Sequence, residues 1–213
     1  MGNRAIYNLM EDSALSHFST HYGANALSPL LRLAEAKAIQ QQLSEPRTIA
    51  HIFEHLDYDG AYQEKRLDDA DMFFWRIPPQ EVAGWQESYA SKSLLEMQIT
   101  LDLDKNCCTL EYNPNCPWYQ TMGSFSIDLD AGLENVKKLL EHGERHGITD
   151  FGRLLAIYHN STGLAEKLES ARGFQELSEY VDSPEAEEQR RRYRELIDRQ
   201  AEPDGENEEM EER

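Results

Sequence analysis

The chain has 213 residues, 40 acidic against 21 basic side chains, a formal net charge of −19, and 39% hydrophobic residues with 10 Tyr, 7 Phe and 3 Trp. That length and apolar content suffice for a buried core without disulfide or metal staples and argue against wholesale disorder. The charge opposes direct binding to nucleic-acid phosphates or to an anionic membrane, and it permits a basic protein partner.

No stretch approaches the roughly 18 apolar residues of a membrane span. Met1 to Met10 lacks a secretory apolar region, so the expected location is the cytoplasm. Gly2 opens like a myristoylation site, but Ile6 stands where that motif needs Ser or Thr. Cys107, Cys108 and Cys116 are an odd set with two neighbours adjacent, which is no disulfide framework.

In chain order, residues 3–10 and Leu15 to Tyr22 read as strands around the polar turn Glu11-Asp12-Ser13. The pairing places Arg4 opposite His21 and Asn3 opposite Tyr22, a candidate polar cluster. Leu15, His17, Ser19 and His21 share one strand face. Ser28-Pro29 predicts a helix start, Ser as cap and Pro in the first helical position, running to about Gln42 with Leu30, Leu33, Ala34 and Ala38 inward. A second helix covers Thr48 to Leu56, with Ile49, Ile52, Phe53 and Leu56 inward. After the polar stretch Asp57 to Asp71, Met72 to Ile77 reads as an aromatic strand stopped by Pro78-Pro79. Glu81 to Tyr89 fits more than one element type.

Leu95, Met97, Ile99, Leu101 and Leu103 alternate with Glu96, Gln98, Thr100 and Asp102, the pattern of a half-buried strand. Asp104-Lys105-Asn106 turns the chain into a returning strand, Cys107 to Tyr112. A rigid loop over residues 113–117 and a strand from Ser124 to Leu129 follow. Asp130 is the expected cap of a helix from about Gly132 to His142, with Leu133, Val136, Leu139 and Leu140 inward and Gly143 and Gly147 breaking it. Further helices are expected over Phe151 to His159, over Leu164 to Val181 with an interruption at Gly173, and over Glu185 to Ile197 after Pro184.

The expected fold is α+β: an antiparallel sheet with helices packed on one face, a helical C-terminal portion and a disordered acidic tail. Its division is a globular domain over 1–181 with room for a sub-boundary near 90, a charged helix over 182–200, and the acidic tail 201–213.

The opening Gly2-Asn3-Arg4-Ala5-Ile6, the step His21-Tyr22-Gly23, the Leu-rich helix through Ala36-Lys37, and Asp71-Met72-Phe73-Phe74-Trp75 carry a resemblance. Over residues 2–85 the chain resembles a group of small, uncharacterised bacteriophage and mobile-element proteins with an N-terminal Asn-Arg-Ala strand and a His-aromatic-Gly step. Tyr22 stands where Trp is usual in that group, and the C-terminal half has no counterpart in it. The resemblance implies a genomic setting rather than an activity.

Six of the seven histidines form pairs four apart: His17 and His21, His51 and His55, His142 and His146. That spacing shares a face on a helix. On a strand it separates the two by about 13 Å, too far for one ion. His51-Ile52-Phe53-Glu54-His55 spells the inverted zinc-protease motif, two metal ligands beside a base. Exposed helical histidines satisfy the same spelling, and no third ligand is distinguishable among so many acids. Asp57-Tyr58-Asp59-Gly60 lacks the rest of a calcium loop. Asp57, Tyr58, Asp59, Tyr62, Glu64, Asp68, Asp69 and Asp71 together suit a basic protein surface, because carboxylates accept bidentate Arg bonds and Tyr supplies contact area. Their spacing could also imitate duplex phosphates.

No nucleophile elbow, phosphate-binding loop or dinucleotide fingerprint is present. The expectation is a non-enzymatic, cofactor-free acidic binding protein of a phage or mobile element, blocking a basic host factor such as a nucleic-acid-handling defence protein. The alternatives are a zinc-dependent hydrolase on His51, Glu54 and His55, and an immunity or antitoxin protein capping a basic toxin.

Overall fold

A computed structural model describes residues 4–21, 23–65, 72–90, 95–116, 123–145, 167, 171–188, 191–192 and 195. Asn3, Tyr22, Asp68, Asp69, Asp71, His146, the expected helix over 151–159 and the tail 201–213 lie outside them.

The chain opens with the expected hairpin. Strands β1 (Arg4–Glu11) and β2 (Ala14–Thr20) pair from Ala5 opposite Thr20 to Glu11 opposite Ala14. Asp12 and Ser13 take φ of 51° and 62°, the left-handed pair that a two-residue hairpin loop requires. The Asp104 carboxylate satisfies that loop, accepting the Asp12 N–H at 2.9 Å and the Ser13 N–H at 2.8 Å.

Helix α1 (Leu27–Gln42) ends where periodicity placed it, but its cap is not Ser28. The Asn25 side chain accepts the Leu27 and Ser28 N–H groups at 3.0 and 2.9 Å and donates to the Ser28 hydroxyl at 2.8 Å. Within the stripe, Leu30 and Leu33 are buried as expected, Ala36 is buried with them, and Ala38 is exposed. Helix α2 (Ile49–Phe53) is capped by Thr48 and buries Ile49, Ile52 and Phe53, with Leu56 buried beyond its end. Glu11 also ties this short helix to the hairpin, accepting the Ile49 and Ala50 N–H groups at 2.9 and 3.1 Å.

Of the expected strand over 72–77, β3 (Trp75–Arg76) joins the sheet, against Ser19 and Phe18 of β2, and Met72 makes a separate antiparallel bridge to Asp57. A 3-10 turn (Pro79–Glu81) and helix α3 (Val82–Ala90) settle the undecided segment as helical. Strands β4 (Leu95–Asp102), β5 (Cys107–Tyr112) and β6 (Ser124–Asp128) form an antiparallel meander.

The sheet order is β3-β2-β1-β4-β5-β6, and β1 pairs with β4 in parallel. The sheet is therefore mixed, not purely antiparallel, and it is continuous across residue 90. A parallel neighbour needs a long crossover, which α1, α2 and α3 supply between β2 and β4. The class remains α+β.

Helix α4 (Leu129–Arg145) begins under an Asp128 cap, whose carboxylate accepts the Ala131 N–H at 2.9 Å, in place of the expected Asp130. It runs through Gly143, and α5 (Ala171–Val181) runs through Gly173. A glycine inside a helix costs only about 1 kcal/mol, less than a packed amphipathic face returns. Val136 and Leu139 of α4 and Leu177 and Val181 of α5 supply such faces. The Ser183 hydroxyl accepts the Ala186 N–H at 3.2 Å, opening a helical turn over 184–188.

Alternation along the strands puts Tyr7, Leu9, Phe18, Met97, Ile99, Leu101, Cys108, Leu110 and Ile127 on one sheet face, beneath α1, α2 and α4. The helices are not confined to that face. Val82 and Trp85 of α3 pack on Ile6, Ile77 and Leu95 across the opposite one. Beyond α3 that opposite face is polar. His17, Asn8 and Thr100 are hydrogen-bonded in one row across three strands, and Thr109 and Ser126 continue it at 3.4 Å. Among the described residues no helix is long and apolar enough to cross a membrane.

Candidate functional site

The segment expected to meet a partner divides by role. The Asp57 carboxylate accepts the Asp59 and Ala61 N–H groups at 3.0 and 2.8 Å and the Gln63 side-chain N–H at 2.7 Å. It therefore staples its own loop, as aspartates at turn starts do. The Tyr58 ring meets Phe73 edge-on at 6.0 Å, and its carbonyl accepts an Arg32 N–H at 2.7 Å. Tyr62 leans on His55 at 5.6 Å between ring centres. Asp59 and Glu64 are the described carboxylates of this stretch that stand exposed.

Arg32 anchors the loop to α1. Its guanidinium lies 4.3 Å above the Phe73 ring and donates to Glu35 at 2.8 Å. Gly60 belongs to the same contact: with φ of +82°, a Cβ there would fall 2.5 Å from the Glu35 carboxyl carbon. Burial pushes the Glu35 carboxyl above its ordinary value of 4.5, against the Arg32 charge and hydrogen bond and with help from the Asp57 charge. The folded state thus binds this proton more tightly than the unfolded chain. Its stabilising effect is full below the unfolded value and is lost as pH rises through the folded one. Glu35→Gln removes that loss. In urea titrations the variant should gain stability relative to the native chain as pH rises from about 4.5 to 7. A difference that stays constant over that range refutes the account.

His51 and His55 do share a face, their rings 4.6 Å apart. The His55 Nδ1–H donates to the Gln63 carbonyl at 2.8 Å. The His51 imidazole is held below its ordinary value by burial first, then by the charges of His55 and Arg47. Glu54, the expected base, is ion-paired with Arg76. Among the described residues no group of three or more His, Cys, Asp and Glu side chains converges as a metal site. The Cys108 thiol is pushed far up by burial, so it supplies no thiolate. His17 and His21 stay apart on β2 and beyond it, and His142 pairs with Asp182 at 3.1 Å.

The polar pair Arg4 and His21 lies at the other end of the hairpin, and there the sheet is irregular. Arg4 pairs with Leu95 but Ala5 pairs with Met97, so Glu96 is an extra residue in β4. This β-bulge breaks the strand's alternation. It turns Leu95 away from Met97 and toward Ile6 and Ile77, and it leaves Glu96 buried. Asn113 clamps it: its buried side chain donates to the Leu95 carbonyl at 2.8 Å and its backbone N–H to the Glu96 carbonyl at 2.9 Å. Above the bulge, Arg4, Ser19, Thr20, His21, Trp85, Ser88 and Leu95 line a cleft of about 400 Å³ between the sheet and α3. The His21 ring rests on Trp75 at 4.6 Å, and burial, then the Arg4 charge, holds its imidazole below the ordinary value.

Sequence reasoning found Arg4 and His21 through the hairpin register. It missed Trp85 and Ser88, because only the α3 crossover brings them there. Compared with known proteins, the chain matches no family model, no curated protein and no solved structure.

Proposed function

We propose that this chain is a non-enzymatic acidic binding protein whose partner is a basic protein surface. The observation that carries the reading is the fate of the cations. Arg32, Arg47, Arg76, Lys105, Lys167 and Arg191 each sit against a carboxylate of the same chain. With 40 acidic side chains against 21 basic ones, the chain carries an acidic surplus of 19. Such a field steers a basic partner toward the chain and weakens with salt. The contact surface we assign is Asp59 and Glu64, which stand exposed, with Asp68, Asp69 and Asp71 added from the sequence pattern. The resemblance to mobile-element proteins makes a host factor that handles nucleic acid the favoured partner, met in the cytoplasm and blocked by a phosphate-like array of carboxylates.

The test is a pull-down from host lysate with the tagged chain, followed by affinity measurement with the recovered protein. The partner should be basic and stoichiometric, held at about 50 mM salt and released by about 500 mM. Lys at 59, 64, 68, 69 and 71 should weaken it at least about 100-fold, while Asp57 is left intact because its substitution would undo the loop. Affinity that survives this charge reversal, or that ignores salt, removes the surface from consideration. An immunity or antitoxin role shares this surface and differs in the partner recovered, a toxin encoded beside the chain. The hydrolase alternative on His51, Glu54 and His55 stands or falls on stoichiometric zinc in the purified chain, and the Glu54–Arg76 ion pair weighs against it.

A further inference from the structure

The cleft beneath α3 has a composition unlike the rest of this acidic chain. Its charged group is the Arg4 guanidinium, its hydroxyls are Ser19 and Ser88, and its apolar wall is the Trp85 indole. Trp85 is seated on the cluster of Ile6, Ile77 and Leu95, the His21 ring lies tilted against Trp75, and the Arg4 and Leu95 backbones are paired at the bulge that Asn113 clamps. Bulges re-aim side chains and are common beside binding sites. A fixed indole beside a guanidinium and hydroxyls is the complement of a planar ring joined to an anion. Arg binds phosphate oxygens in bidentate fashion, hydroxyls complete the oxyanion shell, and aromatic faces accept bases. A volume of about 400 Å³ lies within the range of small-ligand sites.

We propose that the cleft between the start of β1, the end of β2 and α3 binds a phosphate monoester carried on a planar ring, a ligand of the size of a nucleoside monophosphate. The phosphate sits at Arg4 with Ser19 and Ser88 beside it, and the ring lies against Trp85. The cleft's lining includes neither Asp59 nor Glu64, so a cleft that binds nothing leaves the partner reading intact.

The test is calorimetric titration of the full chain with AMP, phenyl phosphate and inorganic phosphate, with the tryptophan indole N–H resonances followed in parallel. AMP and phenyl phosphate should bind saturably and shift the Trp85 indole, and AMP binding tighter than phenyl phosphate marks a nucleotide source. Inorganic phosphate should bind at least about tenfold more weakly, having no ring to stack. Arg4→Gln, at an exposed position, should weaken AMP at least about tenfold. Ser88→Trp fills the cleft from an exposed position on α3 without removing a core contact, and should abolish binding with the melting temperature unchanged. Three outcomes overturn the assignment: no saturable binding of any probe to the folded chain, inorganic phosphate binding as tightly as AMP, or AMP affinity unchanged in both variants.

Discussion

Replacing Phe74 with alanine lowers the unfolding free energy by about 4 kcal/mol, the largest single-residue loss expected in this chain. Phe74 is fully buried at the centre of an aromatic cluster. Its ring stacks on Phe53 at 4.3 Å and meets Phe73, Tyr7 and Phe18 at 4.7, 5.0 and 5.7 Å. These partners come from α2, β1, β2 and the segment entering β3. The cavity left by truncation is therefore walled by separate elements that cannot collapse together, and the lost ring contacts add to the lost transfer energy. For a chain of this size the melting temperature should fall by roughly 10 °C. Leu15→Ala is the control: the side chain is 49% exposed, and its removal should change stability by less than about 0.5 kcal/mol. Urea unfolding of the two variants measures both numbers, and a loss under about 1 kcal/mol for Phe74→Ala would mean that the cluster is not the centre of the core.

Gly23→Ala is the second large effect, at about 2 to 3 kcal/mol. A Cβ at Gly23 would lie 2.5 Å from Thr20 Cγ2 and 2.9 Å from the Tyr7 hydroxyl oxygen. Tyr7 cannot retreat, because it is fully buried and donates to the Gly23 carbonyl at 2.8 Å. The substitution must displace that hydrogen bond or push the chain off the sheet end. Thr20→Ser removes the nearest methyl while keeping the hydroxyl, so the double variant should recover at least about 1 kcal/mol of the loss. Additive effects in that cycle would locate the strain elsewhere. The glycine of the His-aromatic-Gly step thus has a packing reason: the backbone passes against a buried tyrosine with no room for a side chain.

The sequence by itself determined what depends on near neighbours. The hairpin register was readable because a two-residue loop leaves one way to pair β1 with β2, and β4 and β5 were readable because alternation is a local property of a half-buried strand. The α+β class and the acidic surplus followed from the same local counting. Tertiary structure alone decided the parallel pairing of β1 with β4, since periodicity says which face a strand buries but not which strand lies beside it. It also decided the side of Leu95: one extra residue, Glu96, inverts the pleat, and alternation read along the strand could not register the insertion. Asn25 and Asp128 took the caps expected of Ser28 and Asp130, because a cap depends on where the chain enters a helix and several polar residues in a row can each fit. Asp57 and Tyr58, expected as contact residues, also anchor their loop, a role the sequence did not show because the donors that engage them, Gln63 and Arg32, are chosen by the folded path. The cleft is the furthest case. Arg4 and Trp85 lie in segments with no local relation, and the crossover helix, drawn down by Ile6, Ile77 and Leu95, sets them facing one space.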